Sequence, residues 1–147
     1  MVCHSTILFM IAGNLLHLFF SNDYMVWYFV PDTPIYPAHT ELIYTFIIFP
    51  ATVLLFFHGY PKTGWGKQIV YLVWWVIIYS AVEWVLSETG RIIYDHGWSW
   101  LWSTLFDCMM FPMLLLHQRN PLLAYGLSIL IVVALVYGFR VPMGTVL

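Results

Sequence analysis

The sequence predicts an all-α protein: a polytopic transmembrane helical bundle of about five spans, folded as one domain over residues 1–147. Three observations lead there. Of the 147 residues, 62% are hydrophobic and only 8% are charged. A soluble domain carries roughly 25% charged residues, so this chain lacks the polar side chains to cover a water-facing surface. Five stretches come close to or exceed the about 20 apolar residues that a helix needs to cross a bilayer core: 2–21, 38–58, 67–89, 98–117 and 121–139. Finally, the connections are short, with no internal repeat, low-complexity tract or soluble module between the spans.

Each element has a local reason. The first span has no Lys or Arg before it, and "FFSNDY" lacks the small-x-small cleavage pattern, so it is expected to be a span and not a cleaved signal peptide. Residues 22–37, "NDYMVWYFVPDTPIYP", carry prolines at 31, 34 and 37, which forbid a regular helix. Their Tyr24, Trp27, Tyr28 and Phe29 suit a membrane interface, and the segment reads as an interfacial lid or cap. Pro50 and Pro112 fall inside the second and fourth spans and are expected to kink them, which a bundle tolerates when neighbours satisfy the freed carbonyls. The remaining breaks are "HGYPKTGWG" (58–66), Gly90 through Gly97, and "HQRNP" (117–121). Pro121 suits the start of the last span, where the first helical turn has no N–H partner to lose.

Charge adds a polarity along the bundle. With a formal net charge of −2 and no basic run, nucleic acid is excluded as a partner. Lys62, Lys67 and Arg119 fall on the face that holds the N-terminus, with His58 and His117; Arg91 and Arg140 fall on the other. That three-to-two split favours a cytoplasmic N-terminus. Asp23, Asp32, Glu41, Glu83, Glu88 and Asp95 all lie on or near the second face, which makes it an acidic, extracellular end. Cys3 and Cys108 sit at different depths, which argues against a disulfide between them.

The polar residues at membrane depth are ordered. Glu83, within "YSAVEWVLSE" (79–88), lies about 9 Å in from the acidic face at the helical rise, and Asp107 about 13 Å in. Ser80, Glu83 and Ser87 share one helix face, as do Ser99, Ser103 and Asp107. Asn14, His17 and Ser21 form a third stripe, and Glu41, Thr45, Ile48 and Thr52 a fourth. The fifth span offers only Tyr125 and Ser128, and is expected to be peripheral. Four such stripes can converge on one polar cavity open to the acidic face, with Glu83, Asp107, His17, Asn14 and Glu41 lining it and Trp98, Trp102 and His39 at its mouth. An ionised carboxylate near mid-membrane costs about 3 kcal/mol, and no Lys or Arg shares that depth. The two carboxyls are therefore expected to contact water, share a proton or pair with His17, with at least one protonated at neutral pH.

Plainer readings stand beside these. Glu83 and Asp107 can act as neutral hydrogen-bonding glue between helices, His17 as a buried hydrogen bonder, and "WSWLW" (98–102) as an aromatic belt. His58 and His117 read as interface residues at span ends, next to snorkelling Lys62 and Arg119. His39 and Glu41 do not face each other on a helix, and no HExxH or ExxH spacing occurs, so neither a metal nor any other cofactor is expected. There is no G-x-S-x-G, no Ser/Lys pair, no activating partner for Cys108 and no phosphate-binding glycine loop.

Several strings appear together in order: "FPATVLLF" (49–56), "YP" (60–61), "YSAVEW" (79–84), "HGW" (96–98), "MFPMLLLH" (110–117) and "PLLAY" (121–125). On these the chain resembles a family of small, uncharacterised polytopic membrane proteins from spore-forming Gram-positive bacteria, over nearly its whole length from about residue 5. The resemblance implies a bacterial cytoplasmic membrane and a helical bundle, and it assigns no activity. Members often carry a further apolar span before the segment equivalent to "HSTILF", where this sequence starts.

Three functions follow as expectations. The leading one is a transport-like or ligand-binding membrane protein with Glu83 and Asp107 as proton- or cation-binding groups, working in the lipid bilayer as a homo-oligomer or with a larger membrane partner. The second is a non-catalytic accessory or structural subunit serving sporulation or the envelope. The third is an intramembrane enzyme acting on a lipid, with the two carboxyls as acid and base.

Overall fold

The computed structural model of the chain describes residues 3–20, 24–30 and 37–142. They form a helical bundle with a small strand cap at one end. Helix α1 runs Cys3–Phe20 and strand β1 Trp27–Phe29. Helix α2 (Pro37–Ile43) continues through a π-helical segment, Tyr44–Ile48, into α3 (Phe49–Gly59). Then come α4 (Trp65–Glu88), β2 (Ile92–Tyr94), α5 (Trp100–Arg119) and α6 (Pro121–Gly138).

Three of these helices are long and apolar enough to cross a membrane: His39–Gly59, Trp65–Glu88 and Pro121–Gly138. Their surfaces make the stronger case. Leu122, Val70, Ile129 and Leu130 stand largely exposed on α4 and α6, and an apolar surface of that extent is stable only against lipid or a partner. The stretch His4–Phe19 of α1 is apolar but shorter. Helix α5 has the length, 20 residues, but carries Ser103, Asp107 and His117 inward.

At Pro50 the helix departs from regular α geometry by a specific route. The proline ring would collide with the carbonyl four residues back in a regular α-helix. The preceding turn widens instead, and the Phe49 N–H reaches the Tyr44 carbonyl five residues back. Such π-bulges bend a helix without stripping its hydrogen bonds. Pro112, by contrast, sits within an unbroken α5.

The core lies where α1, α3 and α5 meet. Met10, Val53, Phe56, Phe111 and Leu114 are buried there, and Tyr71, Trp75 and Tyr79 of α4 pack against them. Helix α6 packs mainly along α5, so its expected peripheral place is the observed one. Its start is fixed by Pro121 in the first turn and by the Asn120 side chain, which accepts from the Leu123 N–H.

The strands are what the sequence did not announce. β1 and β2 pair antiparallel, with Trp27 opposite Tyr94, Tyr28 opposite Ile93 and Phe29 opposite Ile92. Val30 N–H bonds to the Arg91 carbonyl and Asp95 N–H to the Val26 carbonyl, which extends the ladder at both ends. The segment expected to form an interfacial cap thus contributes one strand of a two-stranded cap, and residues 90–97 contribute the other. Pro31 and Pro34, the other half of the "NDYMVWYFVPDTPIYP" reading, lie outside the described residues, as do Ser21, Asp23 and Asp32.

The turn out of α4 aims β2 at β1. Gly90 N–H bonds to the Ser87 carbonyl and Arg91 N–H to that of Leu86, a Schellman closure. Gly90 adopts φ 70°, which costs a residue with a Cβ about 1 kcal/mol or more. Gly90→Ala should therefore lower stability by about 1 kcal/mol, read as a lower unfolding midpoint in detergent, whereas Gly90→Asn should lose less. Equal losses in the two variants would show that the left-handed backbone is not the cause.

Candidate functional site

The strand cap has an inner face and an outer one, because directly opposed residues of an antiparallel pair share a side. Trp27 and Tyr94 form one inner pair, Phe29 and Ile92 the next. Three of these four rest on polar-stripe residues or their neighbours. Trp27 stacks on His17 with ring centroids 4.9 Å apart, Phe29 stacks on Tyr44 at 3.8 Å, and the Tyr94 hydroxyl donates to Glu83 Oε1 at 2.9 Å. Ile93, on the outer face, is exposed.

Beneath Tyr94 lies the main polar cluster, between α4 and α5. Ser103 lies within hydrogen-bonding reach of both Glu83 and Tyr94. It also accepts a 2.8 Å bond from Trp98 Nε1. Because Trp98 uses an oxygen lone pair, the Ser103 proton is free to go to Glu83. One turn deeper on the same face of α5 is Asp107, near enough to feel the charge of Glu83. It is only 5% exposed, and its Oδ2 has no hydrogen-bond partner. Ser80 Oγ on α4 is likewise buried and unpartnered, while the Ser80 carbonyl accepts from Trp100 Nε1 at 2.9 Å. Outside the spans, burial and then the Glu83 carboxylate push the Tyr94 phenol up from its ordinary value. Tyr94 therefore remains a donor throughout the physiological range.

The other predicted residues form a second group, on α1 and the α2–α3 helix. Asn14 Nδ2 donates to Thr45 Oγ1 at 2.8 Å, and Thr45 donates in turn to the Glu41 carbonyl at 2.7 Å. Glu41 faces the backbone of Phe29, and its Oε2 is buried without a partner. Of the alternatives for the two carboxyls, pairing with His17 is not the one observed. His17 lies flat against Trp27, with both ring nitrogens buried and unpartnered. Hydrogen bonds thus tie α1 to the α2–α3 helix on one side and Tyr94 to α4 on the other, and the hydroxyls of Thr52 and Tyr79 join the two groups.

Two expected placements need correction. Trp98 is not at a mouth: it is buried, held inward by Ser103 and packed on Phe139 at 4.9 Å. Trp102 stays part-exposed beside it, its ring 5.3 Å from Phe139, and His39 is exposed at the start of the second long helix. At the opposite end His117, expected as an interface residue, is buried inside the bundle. It is 2% exposed, stacked on Phe9 at 4.3 Å, with Nδ1 3.2 Å from the Thr6 hydroxyl.

Sequence reading missed Tyr94 and Thr6 as partners. Tyr94 sits in a break between spans, and only its position 11 residues past Glu83 hinted at a return over the same helix. Among the described residues no three His, Cys, Asp or Glu side chains converge as metal ligands, and Cys108 is free and exposed. No protein-family model matches the chain, nor does any curated protein or solved structure.

Proposed function

We propose that Glu83 and Asp107 form a cation- or proton-binding pair beneath the strand cap of a small, transport-like membrane protein. The observation that carries this reading is Asp107. It is a buried carboxyl without a donor on Oδ2, set beside a second carboxyl that already has Tyr94 as a donor. No Lys or Arg occurs between Lys67 and Arg91, or between Arg91 and Arg119, to neutralise it from its own helices. A buried polar atom with no partner costs about 1–3 kcal/mol, and a bound cation or a held proton removes that cost. Intramembrane acids of this kind commonly mark ion or proton sites.

The setting belongs to the same proposal. The family resemblance supports a bacterial cytoplasmic membrane, crossed several times, and the Lys and Arg distribution supports a cytoplasmic N-terminus. Five helices barely enclose a pathway, which favours a homo-oligomer or a larger membrane partner.

Reconstituted protein tests the pair directly. Adding sodium or potassium to wild type in lightly buffered nanodiscs should give saturable heat in calorimetry and release of protons to an indicator dye. Asp107→Asn should abolish the proton release and weaken the binding at least tenfold. Unchanged binding in Asp107→Asn would overturn the reading. Loss of assembly alone, with binding absent from wild type as well, would favour an accessory subunit in which the acids set packing.

A further inference from the structure

Away from the carboxyl cluster, the turn between α3 and α4 carries a shallow groove of about 540 Å³, lined by Pro61, Gly66, Lys67, Val70, Tyr71 and Trp74. We propose that this groove seats an anionic phospholipid from the surrounding leaflet, with its phosphate on Lys67 and an acyl chain along Val70 and Trp74.

The groove is built, not left over. Gln68 Nε2 donates to the Pro61 carbonyl at 3.0 Å, which ties the turn to the first coil of α4. Tyr71 donates to the Phe56 carbonyl at 3.0 Å, so its ring forms a fixed wall. At Gly66 the absent side chain leaves open space. Its floor is apolar and faces outward, with Val70 69% and Trp74 59% exposed, as a surface meeting acyl chains should be. Lys67 is the charged lining residue, and Lys62 follows the lining residue Pro61 in the loop.

Charge settles which lipid. No Asp or Glu occurs from residue 42 to 82, nor before residue 23, nor after 107, so nothing acidic in those stretches competes for the two lysines. The first turn of α4 adds to the field, since its N-cap, Gly64, supplies no side-chain oxygen to the free N–H groups, and such N–H groups favour anions. Trp65, 80% exposed, is placed as an interfacial anchor at headgroup level. A zwitterionic lipid would bring its own cation against Lys67 and gain little. The phosphate of an acidic lipid brings net negative charge.

Native mass spectrometry of the delipidated full chain in detergent, titrated with phosphatidylglycerol or phosphatidylcholine, tests this. Wild type should retain one phosphatidylglycerol in preference to phosphatidylcholine. Lys67→Gln should weaken that retention by about fivefold, the effect of one lysine near an anionic surface, and Lys67→Arg should restore most of it. Val70→Trp, at a lipid-facing position that leaves the core untouched, should abolish retention by filling the groove. Equal retention of the two lipids, or retention unchanged in both Lys67→Gln and Val70→Trp, overturns the proposal. Displacement of the lipid by inorganic phosphate alone would also overturn it, because it would mark a site for the anion and not for the lipid.

Discussion

Phe56→Ala should destabilise the bundle by about 3–5 kcal/mol, the largest loss expected for any single side chain. Phe56 is fully buried, and its ring stands 5.2 Å from Phe111 on α5, 5.7 Å from Tyr71 and 5.8 Å from Trp75 on α4. It is a point at which α3 meets both α4 and α5. Between helices in lipid, packing carries the stability, because acyl chains are as apolar as the side chains they would replace. A closed cavity left by the missing ring cannot be filled by lipid, so its dispersion contacts are lost outright. Unfolding by denaturant in micelles measures the loss. Leu122→Ala, at a side chain 84% exposed on α6, should by comparison change stability by no more than about 0.5 kcal/mol. A Phe56→Ala loss as small as that would mean that α3 and α4 do not meet around this ring.

Glu83→Leu should cost about 1–3 kcal/mol and release the strand cap. It removes the acceptor of the 2.9 Å bond from Tyr94, and Tyr94 remains protonated, so its half-buried donor loses its carboxylate partner. Leucine fits a membrane helix at least as well as glutamate, so the loss cannot be laid to insertion. Glu83→Gln keeps an acceptor oxygen and should cost less than about 1 kcal/mol. Amide exchange in Ile92–Tyr94 should quicken in Glu83→Leu and stay slow in Glu83→Gln. A cycle with Tyr94→Phe should show a coupling between the two sites of about 0.5 kcal/mol or more. If the two changes simply add, Tyr94 does not hold the cap to α4 and the bond is incidental.

The sequence by itself determined the solvent and, with it, the class of fold. Long apolar runs and a charge content too low for water leave only a helical bundle in lipid, since helices satisfy their backbone locally. It also determined which residues could share a helix face, because the 3.6-residue period is a local property. Ser103 and Asp107 are found on one face of α5 for that reason, and Pro50 disturbs the second helix for an equally local one.

Only the tertiary structure decided what those faces meet. Strands β1 and β2 are three residues each, too short to show a period of two, and their partners lie more than 60 residues apart in the chain. Nothing near Trp27 says that it will lie over His17, and nothing near Tyr94 says that it will reach back to Glu83. A ring that a sequence places at an interface can also be drawn inward by one hydrogen bond, as Ser103 draws Trp98 and Thr6 meets His117. The same holds for the four polar stripes. Each is written into its own helix, but whether they fill one space or two depends on helix rotations. Those rotations are fixed by the packing of Phe56, Phe111 and Leu114 at the centre of the bundle.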